Sequence, residues 1–214
     1  MSDALLPLFP LKVVMLPGTP MPLHIFEERY KEMVGEAIAA NTEFGIVQAG
    51  ERGVLNIGCS VVVEKVLERY DDGRMDIVVR GHRRFEIMML DEEKDFLRAS
   101  VQFFDDNEDD PEPSAEMKAM AIAGLNALRN AGGSEDIVVP DHRDKQLSFR
   151  VAWFITDLSL RQAVLAMRSE TERLRHINAF LPEYIARVRR TTHAHKVAPR
   201  NGHGMTKIGE KDSE

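Results

Sequence analysis

Apolar and polar positions alternate with a period of two through the first half of the chain and repeat with a helical period through the second. Met75, Ile77 and Val79 alternate with Asp76 and Arg80, and Phe85, Ile87 and Met89 with Arg84 and Glu86; this is the period of a half-buried strand. Apolar runs at Val13–Leu16 and Phe44–Val47, the valine-rich stretch Ile57–Leu67, and the set Leu97, Ala99, Val101 and Phe103 predict further strands, because β-branched side chains suit a pleated surface. Turn signals separate them at Pro17-Gly18, Asp71-Asp72-Gly73 and Gly81-His82, the Asp-Gly pair between two such runs marking a hairpin. Strands of this length and spacing predict a barrel or a sandwich. One helix interrupts them: Tyr30, Met33, Val34, Ala37 and Ile38 share a face, and Glu27 and Glu28 suit its N-terminal dipole.

The segment Asp105–Pro113 is acidic, carries two prolines, and reads as a linker. Its carboxylates suit a hard cation, but the spacing and glycine of a calcium loop are missing. Beyond it the period is helical. Met117, Met120, Ala121, Gly124, Leu125 and Leu128 share one face, closed by Gly132-Gly133. Leu147, Val151, Phe154, Ile155 and Leu158 mark a second helix. Capping boxes at Ser159-Leu160-Arg161-Gln162 and Ser169-Glu170-Thr171-Glu172 start two more. Pro182 falls inside the last and predicts a kink there. The expected organisation is α+β: a small β-barrel subdomain over 1–110 with one inserted helix, an α-helical subdomain over 111–190, and a disordered tail over 191–214.

Composition changes this picture little. Hydrophobic residues make up 43% and charged residues 29%, ordinary for a globular chain. The net charge of −7 argues against a nucleic-acid partner. A single cysteine, Cys59, excludes an intramolecular disulfide and suits a reducing compartment. No apolar run approaches the roughly 18 residues of a membrane span, and the N-terminus lacks the pattern of a signal peptide. A cytoplasmic protein with no membrane partner is expected.

Motifs for chemistry are sparse. A phosphate-cradling loop ending in Gly-Lys-Ser/Thr is missing, as is the Gly-x-Ser-x-Gly of a nucleophile elbow. Cys59 lies in a valine-rich stretch and reads as a small buried hydrophobe. His193, His195 and His203 lie close in sequence and are candidate metal ligands, yet histidines near a terminus seldom bind one. His82 and His142 stand beside turn residues and read as solvated. The basic stretch Arg187, Arg189, Arg190, Lys196 and Arg200 lacks interleaved aromatics for base stacking. No catalytic residue, metal site or cofactor is therefore assigned. Eleven methionines, Met15, Met21, Met33, Met88 and Met89 among them, fit core gaps or an adaptable surface.

The densest stretch of the chain lies near its start. Leu6-Pro7-Leu8-Phe9-Pro10-Leu11, Leu16-Pro17-Gly18, Pro22-Leu23-His24-Ile25-Phe26-Glu27 and Arg29-Tyr30 together resemble the N-terminal, substrate-binding domain of the Lon proteases and its stand-alone relatives. The resemblance continues through Phe44-Gly45-Ile46-Val47, Ile57-Gly58-Cys59, Asp72-Gly73-Arg74 and Gly81-His82-Arg83-Arg84-Phe85. It extends, more weakly, through Leu158-Ser159-Leu160-Arg161-Gln162 and Glu172-Arg173-Leu174. It implies a PUA-like β-barrel followed by a helical bundle. It also implies a non-catalytic module that recognises unfolded or extended apolar polypeptide segments, without the family's ATPase and Ser–Lys protease domains. A protease partner and a weak homo-oligomer remain open. The motif either packs the inserted helix onto the barrel or lines an apolar groove. On the second reading Met21, Pro22, His24, Ile25, Phe26 and Tyr30 bind peptide. RNA binding, which PUA-like folds also serve, a scaffold role and a hydrolase with an unsignalled site are the alternatives.

Overall fold

The computed structural model describes residues 5–51, 53–132 and 137–197. Six strands come first: β1 Leu6–Leu11, β2 Pro20–Ile25, β3 Phe44–Gly50, β4 Gly53–Arg69, β5 Met75–Asp91 and β6 Arg98–Phe104, with helix α1, Glu28–Ala40, between β2 and β3. Helices α2 Ala115–Asn130, α3 Leu147–Trp153, α4 Leu158–Ala166 and α5 Glu170–Val197 follow. The sheet order is β2-β5-β4-β3-β1-β6, and β6 also pairs with β5. Pairing thus links five strands into a partial ring, while β2 stands outside it. On the edge of β5 away from β4, Met75–Arg80 pair with β2 and Arg84–Asp91 with β6. The result is a partial ring with a three-stranded wing, β2-β5-β4, rather than a clean barrel. Three register shifts between β4 and β5 supply the bends that let two long strands serve both parts.

Two strand expectations are corrected. Val13–Leu16 is not a strand, although Val14, Met15 and Leu16 are buried; an apolar run reports burial, and here the chain plugs the core between β1 and β2 in irregular conformation. Strand β1 instead takes the proline-containing residues just before it. Its Leu6 and Pro7 pair with β6 and Leu8–Leu11 with β3, so each half has one unladdered edge where a proline is tolerated. Nor does the chain turn at Gly81-His82: β5 runs straight through. Glycine is needed there because the Leu16 carbonyl crosses over it, and a Cβ would lie 2.1 Å from that oxygen. The other turn signals match the structure. Gly18 adopts φ +69 and Gly73 φ +84, and Tyr70 N–H donates to the Arg74 carbonyl across the β4–β5 hairpin at 2.9 Å.

Helix α1 buries Tyr30, Met33, Val34 and Ala37, the face its periodicity predicts. Among the later helices, α4 is capped by Asp157, whose carboxylate accepts from Leu160 N–H at 3.0 Å, and not by Ser159. Gln162 of the supposed capping box reaches across to donate to the Ile57 carbonyl of β4 at 2.9 Å. Ser169 does cap α5, accepting from Glu172 N–H at 3.0 Å. That helix continues through Pro182 to Val197; His203 and Arg200 lie outside the described residues.

The acidic crossing from β6 to α2 is largely exposed but pinned at three points. Ser169 donates to Asp110 at 2.6 Å and Thr171 to the Pro111 carbonyl at 2.6 Å. Asp106 accepts from Arg84 of β5 and Arg173 of α5, both of which are buried. One buried apolar cluster runs from Phe9 and Ile25 through α1 to Leu125, Phe149 and Leu174, so strands and helices share a core.

Candidate functional site

The proline-aromatic motif divides between two faces of the wing. Successive residues of a strand point to opposite sides. Met21 and Ile25 of β2 point inward, as does Tyr30 of α1, and join the buried cluster with Met33 and Val34. Pro22 and His24 point outward, and Phe26, just past the strand, is 60% exposed. Of the six residues singled out from the sequence, only Pro22, His24 and Phe26 can meet a partner without opening the core.

Register brings further residues to the outer face. His24 pairs with Asp76 of β5, and Asp76 with Glu68 of β4. His24 Nδ1 lies 2.6 Å from Asp76 Oδ1, and Tyr70 OH donates to Asp76 Oδ2 at 2.7 Å. The His24 ring stacks on Phe26 at 5.9 Å between centroids and meets Tyr70 edge-on at 6.2 Å. Arg74 lies over the Tyr70 ring at 5.0 Å. Asp76 thereby ties the histidine and tyrosine side chains to one carboxylate. Hydrogen bonds from His24 and Tyr70 hold that carboxyl below its ordinary range, and the same bond to Asp76 pushes the Tyr70 phenol up to about 12. Beside this cluster is an open cleft of about 490 Å³ lined by Pro22, Leu23, His24, Leu67, Glu68 and Asp76. Leu67 is 52% exposed. Tyr70, Asp76 and Leu67 escape a sequence reading because only cross-strand register places them beside His24.

Strand β2 is a free edge of the wing. Gly81 N–H donates to the Thr19 carbonyl at 3.0 Å, so odd-numbered residues of this stretch turn their backbone groups toward β5. Pro20 and Pro22 then face outward, where they offer no N–H. An incoming strand cannot complete a ladder there, which protects the edge from pairing. A partner on this face has to be held by side chains.

Elsewhere the candidate chemistry recedes. Cys59 is fully buried and burial pushes its thiol up to about 12, so the reactive thiolate is scarce at neutral pH. His82 lies within β5 with its Nδ1 2.8 Å from Glu43. Arg187 pairs with Asp157 at 3.5 Å. Among the described residues no cluster of three His, Cys, Asp or Glu side chains is placed to hold a metal, and no helix is long and apolar enough to cross a membrane.

The family model of the ATP-dependent protease La (LON) substrate-binding domain matches residues 5–183. The chain belongs to the Lon substrate-binding domain family. Its matched region takes in every strand, α1 to α4 and the first half of α5. Two solved structures share the fold of this Lon-type domain. A Lon N-terminal domain protein from Xanthomonas campestris is 23% identical, with a TM-score of 0.65 over 83% of this chain and 98% of that one. The N-terminal domain of a Mycobacterium avium complex Lon protease is 20% identical, with a TM-score of 0.60 over 86% of this chain and 98% of that one.

Proposed function

We propose that this Lon-type domain is a non-catalytic, cytoplasmic binding module that recognises unfolded or extended apolar polypeptide segments. The observation that carries the reading is the outer face of the wing. There Phe26 stands exposed and stacked on His24, next to Pro22, Leu67 and Tyr70, on an edge whose prolines refuse strand addition. An open apolar face reads apolar bulk rather than a particular sequence, which suits a module that accepts many segments. The rings that form the platform are already tied together through Asp76, so little ordering is left for the moment of binding.

Magnitudes set the strength. An apolar contact of about 400 Å² is worth roughly 10 kcal/mol at about 25 cal/mol per Å². Association and ordering cost about 4–15 kcal/mol. At most about 6 kcal/mol is left over, so dissociation constants of about 40 μM or weaker follow. NMR titration with an unfolded apolar peptide tests this. Shifts at Pro22, His24, Phe26, Leu67 and Tyr70 are expected. Shifts confined to the acidic crossing, or none at millimolar peptide, refute it.

A further inference from the structure

Helix α2 carries a second apolar stripe that the core does not use. Ala121, Leu125 and Leu128 face inward and are buried. Ala115, Ala119 and Ala123 recur every four residues on another face and are exposed. With Ile122 they floor a cleft of about 680 Å³, which His142 and Arg143, in the stretch that leads to α3, also line. Sites for small molecules are concave, of about 300–1,000 Å³, and mostly apolar with a few polar groups that fix orientation. This cleft fits that description, and none of its lining comes from a strand.

The charged groups of the cleft share one sign. Among the described residues that line it, Lys118, His142 and Arg143 are basic and none is a carboxylate, in a chain whose net charge is −7. The wing cleft is the reverse, with Glu68 and Asp76 in its wall. Arg143 is already engaged: its guanidinium donates to Asp141 at 2.6 Å, and the same carboxylate accepts the Arg143 backbone N–H at 2.8 Å. Lys118 is not. The described lysines that form ion pairs are Lys31 and Lys94, so among the described residues the Lys118 ammonium meets no carboxylate. Asn126 accepts from Arg129 at 3.1 Å through its side-chain oxygen, which leaves its amide N–H groups as donors. An ammonium and an amide donor thus line the same cleft as the alanine floor.

We propose that this cleft is a binding site for a small amphipathic anion, a carboxylate on an apolar body. The apolar body covers Ala119, Ile122 and Ala123, and the carboxylate meets Lys118 and Asn126. A charge-assisted hydrogen bond is roughly twice as strong as a neutral one, so the head group selects the charge of the ligand while the floor supplies the apolar burial. The site is independent of peptide docking at the wing, because the two clefts share no residue and carry opposite charge.

The test is an NMR titration of the protein with decanoate, decylamine and decanol, which share one apolar chain and differ in the charge of the head, each kept below its micelle-forming concentration. Shifts are expected at Ala119, Ile122, Ala123, Asn126 and His142. Decanoate should bind about tenfold tighter than decylamine, because only the anion gains the hydrogen bond to the ammonium. K118E should weaken decanoate about tenfold for the same reason. A119F, which fills the floor, should weaken decanoate and decanol alike, and F26S at the wing should change neither. Ala119 is exposed and Lys118 half-buried; thermal melts confirm folding, and K118Q replaces K118E if the charge reversal lowers the melt. Decylamine binding as tightly as decanoate, shifts confined to the wing, decanoate affinity unaltered by both Lys118 and Ala119 variants, or no binding at millimolar decanoate overturns the inference. Each of these failures leaves the proposed function standing, since peptide binding is read at Pro22, His24 and Phe26.

Discussion

The guanidinium of Arg173 holds both carboxylate oxygens of Asp106 at 2.6 Å. Arg173 is fully buried on α5, and Asp106 begins the crossing that leaves β6. The same guanidinium donates to Glu170 at 2.8 Å and to the Ser148 hydroxyl at 2.8 Å, and Arg84 of β5 donates to Asp106 at 2.7 Å. Two buried cations thus meet two carboxylates where strands and helices join. A buried pair adds little over a well-packed apolar contact, but removing one member strands a charge in low dielectric.

Asp106→Asn is therefore expected to lower the unfolding free energy by about 3 kcal/mol, read as a lower urea midpoint. A loss under about 1 kcal/mol would show that the two arginines are satisfied without it.

Asp106 also sets an acid limb. Burial raises its pKa, but hydrogen bonds and charge from Arg173, with Arg84, outweigh that and hold it below the ordinary carboxylate value. A carboxyl depressed in the folded state contributes stability in full above its unfolded pKa of about 3.9, and that contribution disappears as pH falls through the folded value. Urea midpoints measured from pH 6 to pH 2 should fall less steeply in D106N than in the intact protein below about pH 4. Parallel curves would remove Asp106 from the acid transition.

Neighbours in the proline-aromatic motif should behave oppositely. Ile25 is 1% exposed and Phe26 60%. Ile25→Ser is expected to cost about 3–4 kcal/mol through a cavity and a buried hydroxyl, whereas Phe26→Ser stays within about 0.5 kcal/mol in stability and weakens apolar peptide. Comparable losses of stability in both would place Phe26 in the core.

Two glycines make a matched pair. A Cβ at Gly81 would sit 2.1 Å from the Leu16 backbone oxygen, while one at Gly35 of α1 meets nothing within 4 Å. G81A should lose several kcal/mol or fail to fold, since backbone on both sides must move. G35A should gain about 0.5–1 kcal/mol from reduced unfolded-state entropy and better helix propensity. Thermal melts of the two variants decide it, and a neutral G81A contradicts the crossing.

Much of this fold is written locally. The inserted helix, the Asp72-Gly73 hairpin, the positive φ of Gly18 and the Ser169 cap all follow from residues within a few positions of one another, because period, turn chemistry and capping are short-range. The family match, over residues 5–183, takes in the proline, glycine and aromatic stretches that carry the resemblance in the sequence. Local signals also misled where burial imitates a strand, at Val13–Leu16, and where a glycine spaced for a crossing imitates a turn, at Gly81. Which half of the motif is core, which residues join His24, and whether Asp106 is solvent or keystone depend on partners fifty or more residues away: Asp76 for His24 and Arg173 for Asp106. Those pairings are fixed by strand register and by where α5 returns to the sheet, and a sequence read along its length carries neither, because both are set by the packing of the shared core.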